Sequence, residues 1–263
     1  MVLEGAELLS AGLDADVPVE SAYVAPEGRD DPAVSRVLEE VYARGGRVFD
    51  LAPGVIERVA DTVTPQPLVA IVSFAPDDLG SVEEATTVMV CVDVRDPGNL
   101  GTMIRTAESA GVGGVVCCEG TVDPTNPKCL RASAGSVFRV PVVAAAEPDA
   151  VLDRLGEWGF ARVGTVARGG TDYAVFDWRG RIALAFGNES SGLGDELAPR
   201  LDAWVSVPMA GGADSLNVSV SAAVLCFEIL RVRRLSEGDA TGSTMPAMEA
   251  PEDGRAHTRG DRA

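Results

Sequence analysis

Asn99, Arg105, Glu189, Ser215 and Asn217 are the side chains whose types and spacing best suit chemistry in this 263-residue chain. They occupy three glycine-bearing turns, each placed after or beside an apolar run: Asp96-Pro97-Gly98-Asn99-Leu100-Gly101, continuing to Arg105; Gly187-Asn188-Glu189-Ser190-Ser191-Gly192; and Gly211-Gly212-Ala213-Asp214-Ser215-Leu216-Asn217. Open α/β sheets hold ligands beyond the carboxyl ends of their strands, and glycine there lets backbone approach a ligand closely. The only histidine is His257, near the end of the chain, which removes Ser-His-Asp and Cys-His catalysis and leaves no expected metal site. Neither a G-x-x-x-x-G-K-[ST] loop nor a G-x-G-x-x-G fingerprint occurs. Chemistry therefore falls to Arg, Asn, Glu, Ser and backbone groups.

The elements that must carry these turns alternate between helix and strand. Leu3–Leu13 and Ala33–Ala43 read as helices, the second with Val34, Val37, Leu38 and Val41 on one face. Ser21–Val24, Arg47–Phe49 and Leu68–Val72 read as strands, and Pro53–Val59 as a short helix. Residues 74–85, rich in Pro, Asp, Gly and Ser, read as a linker. Beyond it, Val88–Val94 is a continuous apolar run of the kind a buried parallel strand needs. Asn99 is expected to cap a helix ending near Ala110, and Asn126-Pro127 to start another. Further strands are expected at Gly114–Cys117, Ala161–Val166, Ile182–Phe186 and Trp204–Val207. A final helix from Asn217 to Arg234 is apolar almost all round, so it is expected to be buried in the subunit or in a dimer. Residues 236–263 lack periodicity and are expected to be a disordered tail.

Composition narrows the setting. No stretch has the length and apolarity of a membrane-spanning helix, and the N-terminus lacks a basic start followed by an apolar run. Cys91, Cys117, Cys118, Cys129 and Cys226 show no C-x-x-C pairing and read as reduced core residues of a cytoplasmic protein. The net charge of −18 opposes indiscriminate phosphate binding. Residues 1–80 hold fifteen acids and five arginines, whereas residues 81–235 hold nineteen acids and fourteen bases. The basic residues are thus concentrated around the motif-bearing turns.

Those turns resemble the TrmH/SpoU branch of the SPOUT methyltransferases, RNA ribose 2′-O-methyltransferases. Asn99, Gly101 and Arg105 match the family's N-x-G-x-x-x-R motif, and Gly187-Asn188-Glu189 with Gly192-Leu193 matches its G-N-E-x-x-G-L turn. Val207-Pro208-Met209 with Ser215-Leu216-Asn217-Val218-Ser219 matches its I/V-P-M…S-L-N-V-S segment, and Asp123–Ser136 matches another family stretch. Residues 1–73 resemble the L30e-like RNA-binding domain often found ahead of this catalytic domain. The resemblance implies an α/β fold: an L30e-like domain at 1–73, then a SPOUT-type catalytic domain at 86–235 with a C-terminal trefoil knot. It further implies a homodimer using S-adenosyl-L-methionine to methylate a ribose of structured RNA, with ribosomal RNA favoured over transfer RNA.

By the same resemblance Gly187, Val207 and Leu216 line the cofactor pocket, with Thr165 close by. Arg105 is the residue nearest the chemistry, held with the substrate by Asn99, Glu189, Ser215 and Asn217. The family proposal of a general base sits poorly with a guanidinium, which does not give up its proton in proteins, so an orienting and electrostatic role is favoured. Lys128 and Arg131 are candidate RNA contacts, with a plain reading as ordinary solvated helix charges. Asn99 and Asn217 also have a plain reading as helix caps. Two other functions stay open: a non-catalytic RNA-binding protein of the same fold, and a methyltransferase acting on a substrate other than RNA.

So acidic a chain is expected to hold RNA through few phosphate contacts. Three or four contacts at roughly 0.7 to 0.9 each give a log–log salt slope of magnitude near 3. Titrating RNA affinity against salt checks this; a slope near 8 would place the RNA on an extended basic surface instead.

Overall fold

The computed structural model describes residues 1–59, 64–144 and 147–241. Its first unit comprises β1 (Val2–Glu4), α1 (Ala6–Asp14), β2 (Val19–Val24), α2 (Pro32–Ala43), β3 (Arg47–Asp50), α3 (Ile56–Val59) and β4 (Leu68–Val72). The strands form a mixed sheet in the order β1-β4-β2-β3, with β4 antiparallel to both neighbours and β3 parallel to β2. Leu8, Leu9 and Leu13 of α1 and Val34, Val37, Leu38 and Val41 of α2 share one buried core with Leu3, Ala22, Val24, Ala70 and Val72.

The expected helix at Leu3–Leu13 is corrected to a strand followed by a helix. Leu3 pairs with Ala70, and Gly5, at φ +93°, turns the chain between the two. Three residues are too few for a period of two to show against the helical pattern that follows. The helix expected at Pro53–Val59 is likewise shorter, only Ile56–Val59.

The second unit comprises β5 (Thr87–Cys91), α4 (Pro97–Ser109), β6 (Val115–Cys117), α5 (Pro127–Ser133), β7 (Val142–Ala144), α6 (Pro148–Glu157), β8 (Ala161–Thr165), β9 (Thr171–Asp172), β10 (Ile182–Phe186), β11 (Ala203–Ser206) and α7 (Val218–Thr241). Its seven strands form a sheet in the order β7-β6-β5-β10-β8-β11-β9, parallel at every pairing. The central strands β5 and β10 are buried at every residue, as a parallel sheet covered on both faces requires. The short β7, the helix α6 and the two-residue β9 were not foreseen in the sequence.

Residues between the units are pinned to the second one. Leu79–Val82 form a 3₁₀ turn with Val82 buried, the Asp77 amide donates to Val142 O at 2.8 Å, and Phe74 meets Phe138 edge-on at 5.4 Å. Across the same junction Arg131 of α5 pairs with Glu4 of β1 at 3.4 Å.

Helix α4 is capped by Asp96, not by Asn99 as expected. The Asp96 carboxylate accepts from the Asn99 amide at 2.8 Å, with Pro97 at the first helical position. Asp-Pro is a stronger helix start than the asparagine three residues on, because proline's fixed φ and missing N–H suit the first turn. Asn126 does cap α5, accepting from the Lys128 amide at 2.9 Å. Helix α7 runs on to Thr241, past the expected stop at Arg234 and into the expected tail; residues 242–263 lie outside the described residues. It buries Ala222, Leu225, Cys226 and Ile229 but leaves Val220, Phe227 and Leu235 exposed.

Gly101 lets α4 and α5 close on one another. A Cβ there would run into Cys129 O and come within 2.6 Å of Ala132 Cβ. Gly101→Ala is therefore expected to destabilise the fold by about 1–3 kcal/mol despite alanine's better helix propensity. Denaturant unfolding measures this; a more stable variant would mean the two helices separate freely.

Candidate active site

Three loops leave the same end of the large sheet, after β5, β10 and β11, and meet through side-chain amides. Asn99 Nδ2 donates to Glu189 Oε1 at 3.0 Å, and Asn217 Nδ2 donates to Asn99 Oδ1 at 3.0 Å. Asn217 Oδ1 in turn accepts from the Ser219 amide at 2.9 Å and from Ser219 Oγ at 2.7 Å. A polar chain thus runs from a carboxylate through two amides to the first turn of α7. Asn217 caps that helix and spans to Asn99 with the same side chain.

Glu189 also accepts from the backbone amides of Arg95 at 3.3 Å and Asp96 at 3.2 Å. Burial pushes its carboxyl pKa up, but the bonds from Asn99 and the backbone amides outweigh it, leaving the group below its ordinary value. The Asp96 carboxyl is held down chiefly by its hydrogen bond from Lys128, then by the Asn99 amide. Both acids lie at the N-terminal end of α4, where the helix dipole favours negative charge.

The Glu189 loop is shaped by Asn188. Its Oδ1 accepts from the amides of Ser190 and Ser191, its Nδ2 donates to Asp93 O at 2.9 Å, and its backbone pairs with Gly192. Gly187 packs against this closure: a Cβ there would strike Gly192 and the Leu193 amide. That glycine is thus needed by the turn's own backbone, a constraint separate from any ligand's approach. Asn188 was not singled out in the sequence, although an asparagine two residues before a serine amide is an Asx-turn signal.

Beside the polar chain lies a cleft of about 630 Å³, whose walls include Phe186, Trp204, Val207, Leu216 and Leu225. The four residues expected to contact a cofactor, Thr165, Gly187, Val207 and Leu216, all line it, and Ser215 and Glu189 stand on its wall. Thr165 Oγ1 donates to Ala185 O at 2.9 Å, tying β8 to β10. Across the lining, Arg168 reaches Asp214 at 3.0 Å.

Arg105 does not join this cluster. It is exposed, and among the described residues its side chain makes no hydrogen bond or ion pair; its charge acts on Glu108, whose carboxyl is lowered mainly by Arg139. The expectation that Asn99, Glu189, Ser215 and Asn217 hold it is corrected for the single chain. Six residues of helix carry Arg105 roughly 9 Å along the axis from Asn99. Lys128 and Arg131, the candidate RNA contacts, engage Asp96 and Glu4 respectively. The Lys128 pair is exposed and of a kind that is weak and exchanges readily, whereas Arg131 holds a largely buried Glu4 carboxylate.

Burial raises the thiol pKa values of Cys118, Cys129 and Cys226 to about 12, and raises those of Cys91 and Cys117 as well, so none is a thiolate nucleophile. Among the described residues no group of three or more His, Cys, Asp or Glu is placed to hold a metal ion.

A parallel sheet with ligand-sized space beyond its strand ends and a hydrogen-bonded Glu-Asn-Asn cluster beside it has the layout of an open α/β enzyme. Residues 86–227 match the SpoU rRNA Methylase family, and residues 2–77 match the RNA 2′-O ribose methyltransferase substrate binding domain. The chain belongs to the SpoU rRNA methylase family. It is 35% identical over 228 residues to the 23S rRNA (guanosine(2553)-2′-O)-methyltransferase RlmP of Bacillus subtilis, covering 87% of each chain. Against the 23S rRNA (uridine(2479)-2′-O)-methyltransferase of Streptomyces viridochromogenes it is 32% identical, covering 73% of this chain and 69% of that one. The AdoMet-bound rRNA methyltransferase of Sinorhizobium meliloti superposes with a TM-score of 0.76 at 33% identity, over 88% of this chain and 87% of that one. The expected mixed α/β fold with a parallel catalytic sheet is that of these structures.

The lowered Glu189 pKa sets a pH signature. Its ionised form contributes stability above the unfolded value of about 4.3, and the contribution is lost as pH falls through the lower folded value. Glu189→Gln is therefore expected to lower the melting temperature at pH 7, with the gap to the parent chain closing below about pH 4. A gap independent of pH would mean that the carboxylate's charge plays no part in holding the loops.

Proposed function

We propose that this chain transfers the methyl group of S-adenosyl-L-methionine to a ribose 2′-hydroxyl of 23S ribosomal RNA. The observation that carries the reading is the convergence of Thr165, Gly187, Val207 and Leu216 on one cleft, beside the Glu189–Asn99–Asn217 chain. The Bacillus subtilis and Streptomyces viridochromogenes relatives are 23S rRNA 2′-O-methyltransferases, and two of the structural neighbours hold AdoMet.

The cleft fits that cofactor. Its volume is within the range of small-molecule sites, and its walls combine apolar side chains with backbone and hydroxyl groups. When bound there, S-adenosyl-L-methionine supplies an activated methyl group. Alignment and removal of a hydroxyl proton then remain for the protein and RNA to provide. The Glu189–Asn99–Asn217 chain fixes the loops that bound the cleft. Arg105, projecting free from α4, presents a planar fork suited to gripping a phosphate of the target nucleotide and orienting its ribose. Ser215, beside Leu216 on the cleft wall, is a hydrogen-bonding group for the same purpose. Lys128 contacts RNA by exchanging its exposed Asp96 partner for phosphate, and Arg131 does so while still paired with Glu4.

The domain reading follows: an L30e-like RNA-binding unit at 1–73, a linker at 74–85 and a SPOUT methyltransferase unit at 86–235. The two family matches support it, leaving 78–85 between them. A trefoil knot is part of this reading, consistent with β10 inserted between β5 and β8 and with the chain after β11 reaching back to Asn99. So is a homodimer, in which Val220, Phe227 and Leu235 of α7 find cover. We place the enzyme in the cytoplasm, where ribosomal RNA is made; among the described residues no helix is long and apolar enough to cross a membrane.

Incubating the protein with labelled S-adenosyl-L-methionine and 23S rRNA, then mapping ribose methylation, tests the function. Label appearing in protein or small molecules and not in RNA would overturn it. Arg105→Ala is expected to abolish transfer while S-adenosyl-L-methionine affinity stays within about twofold. Arg105→Lys is expected to lose at least 100-fold, because an ammonium cannot reproduce a bidentate grip. Near-normal turnover by the lysine variant would show that charge alone suffices.

A further inference from the structure

Alternation in the N-terminal sheet sends its two faces to different fates. Leu3, Ala70, Ala22 and Val48 face α1 and α2 and join the core. Strand pairing aligns the opposite residues in two rows, Val2–Ile71–Ser21–Arg47 and Glu4–Val69–Tyr23–Phe49. On this second face the Tyr23 and Phe49 rings stack at 5.3 Å with 21° between their planes, and the Arg47 guanidinium lies 5.9 Å from the centre of the Phe49 ring. The Tyr23 hydroxyl leans back to accept from Ser21 Oγ at 3.4 Å, laying its ring along the sheet. Phe49 is 41% exposed and Val2 50% exposed, and β3 is the sheet's edge strand.

We infer that Tyr23, Phe49 and Arg47 form a stacking platform for unpaired bases of the RNA substrate. The inference rests on the proposed RNA methyltransferase function and specifies how the N-terminal unit takes part in it. Three observations favour RNA bases as the occupant. First, residues 2–77, which carry the whole face, match a substrate-binding domain of RNA ribose methyltransferases. Second, the unit is acidic, with fifteen acids against five arginines in residues 1–80, so broad phosphate attraction is denied to it. Base stacking on aromatic rings needs no such field, because every base offers a π-face. Third, Arg47 holds its partner Glu20 only through an exposed pair at 2.8 Å, leaving its guanidinium plane able to flank a base stacked on Phe49. A platform of this kind selects looped or bulged RNA over a continuous duplex, whose bases are already stacked.

The test uses the full chain and unmodified 23S rRNA transcribed in vitro. Phe49→Leu and Tyr23→Leu keep apolar cover on the sheet but remove the π-face. Each is expected to raise KM for RNA about tenfold, with S-adenosyl-L-methionine affinity and melting temperature held. Arg47→Gln is expected to act in the same direction more weakly, and Tyr42→Leu, an exposed aromatic on α2, to leave KM unmoved. Folded leucine variants with parental KM would overturn the platform while leaving the methyltransferase reading intact. A parent chain that methylates no RNA would remove both. If the leucine variants change the oligomeric state without changing KM, the face is a contact between copies of the chain and the proposal fails.

Discussion

The hydrogen-bonded run from Glu189 through Asn99 to Asn217 is the constraint on which the site's geometry depends. Both of its inter-loop bonds join residues 90 or more apart in the chain. The sheet makes the meeting possible: β5 and β10 are adjacent and parallel, so the loops that follow them emerge side by side. The amides then remove the remaining freedom. Each asparagine donates from one end and accepts at the other, so the polarity of the whole run is fixed by a carboxylate at one end and helix N–H groups at the other. Single bonds of this type contribute about 1 kcal/mol, somewhat more where a charge is involved. Their importance lies in geometry, since they set where the cleft wall stands relative to α4.

Close packing supplies the second half of that geometry. The family motif that includes Asn99, Gly101 and Arg105 combines three separate physical demands. Asn99 ties loops, Gly101 brings α5 against α4, and Arg105 points to solvent. Bringing α5 close is what lets Lys128 reach the carboxylate that caps α4. The helix bearing the exposed arginine is thereby fixed at its start by Asp96, on one flank by α5, and on another by α7.

Much of this was legible in the residues. Apolar runs located β5, β10 and β4 to within a residue or so at most ends, and valine spacing located the buried face of α2. The cleft residues came from motif resemblance, and the fold brings all four together. Other features had no local signal. β1 is strand-like only because Leu3 meets Ala70, a partner far along the chain, and β7 is three residues long. The cap of α4 was misread because Asn99 and Asp96 are both good capping types, and only the geometry shows which one accepts the amide. Arg105's separation from the cluster likewise depends on helix rise and loop placement, which a motif does not encode.

The strand order has a consequence for how the protein is made. β5, β6 and β7 pair among themselves, but the other edge of β5 is completed by β10, which follows about ninety residues later. A ribosome therefore extrudes β5 well before the strand that covers its second edge. During that interval a strand destined to be buried at every residue presents unpaired backbone to the surroundings, a known route to misassociation. β8 cannot dock in the meantime, because its place lies on the far side of β10. The late arrival of Ile182–Phe186 closes the open edge of β5 and, in the same motion, delivers Glu189 to Asn99. The cleft is complete only when β11 and the segment bearing Val207, Leu216 and Asn217 follow, so a partly folded chain has no finished cleft in which to trap cofactor.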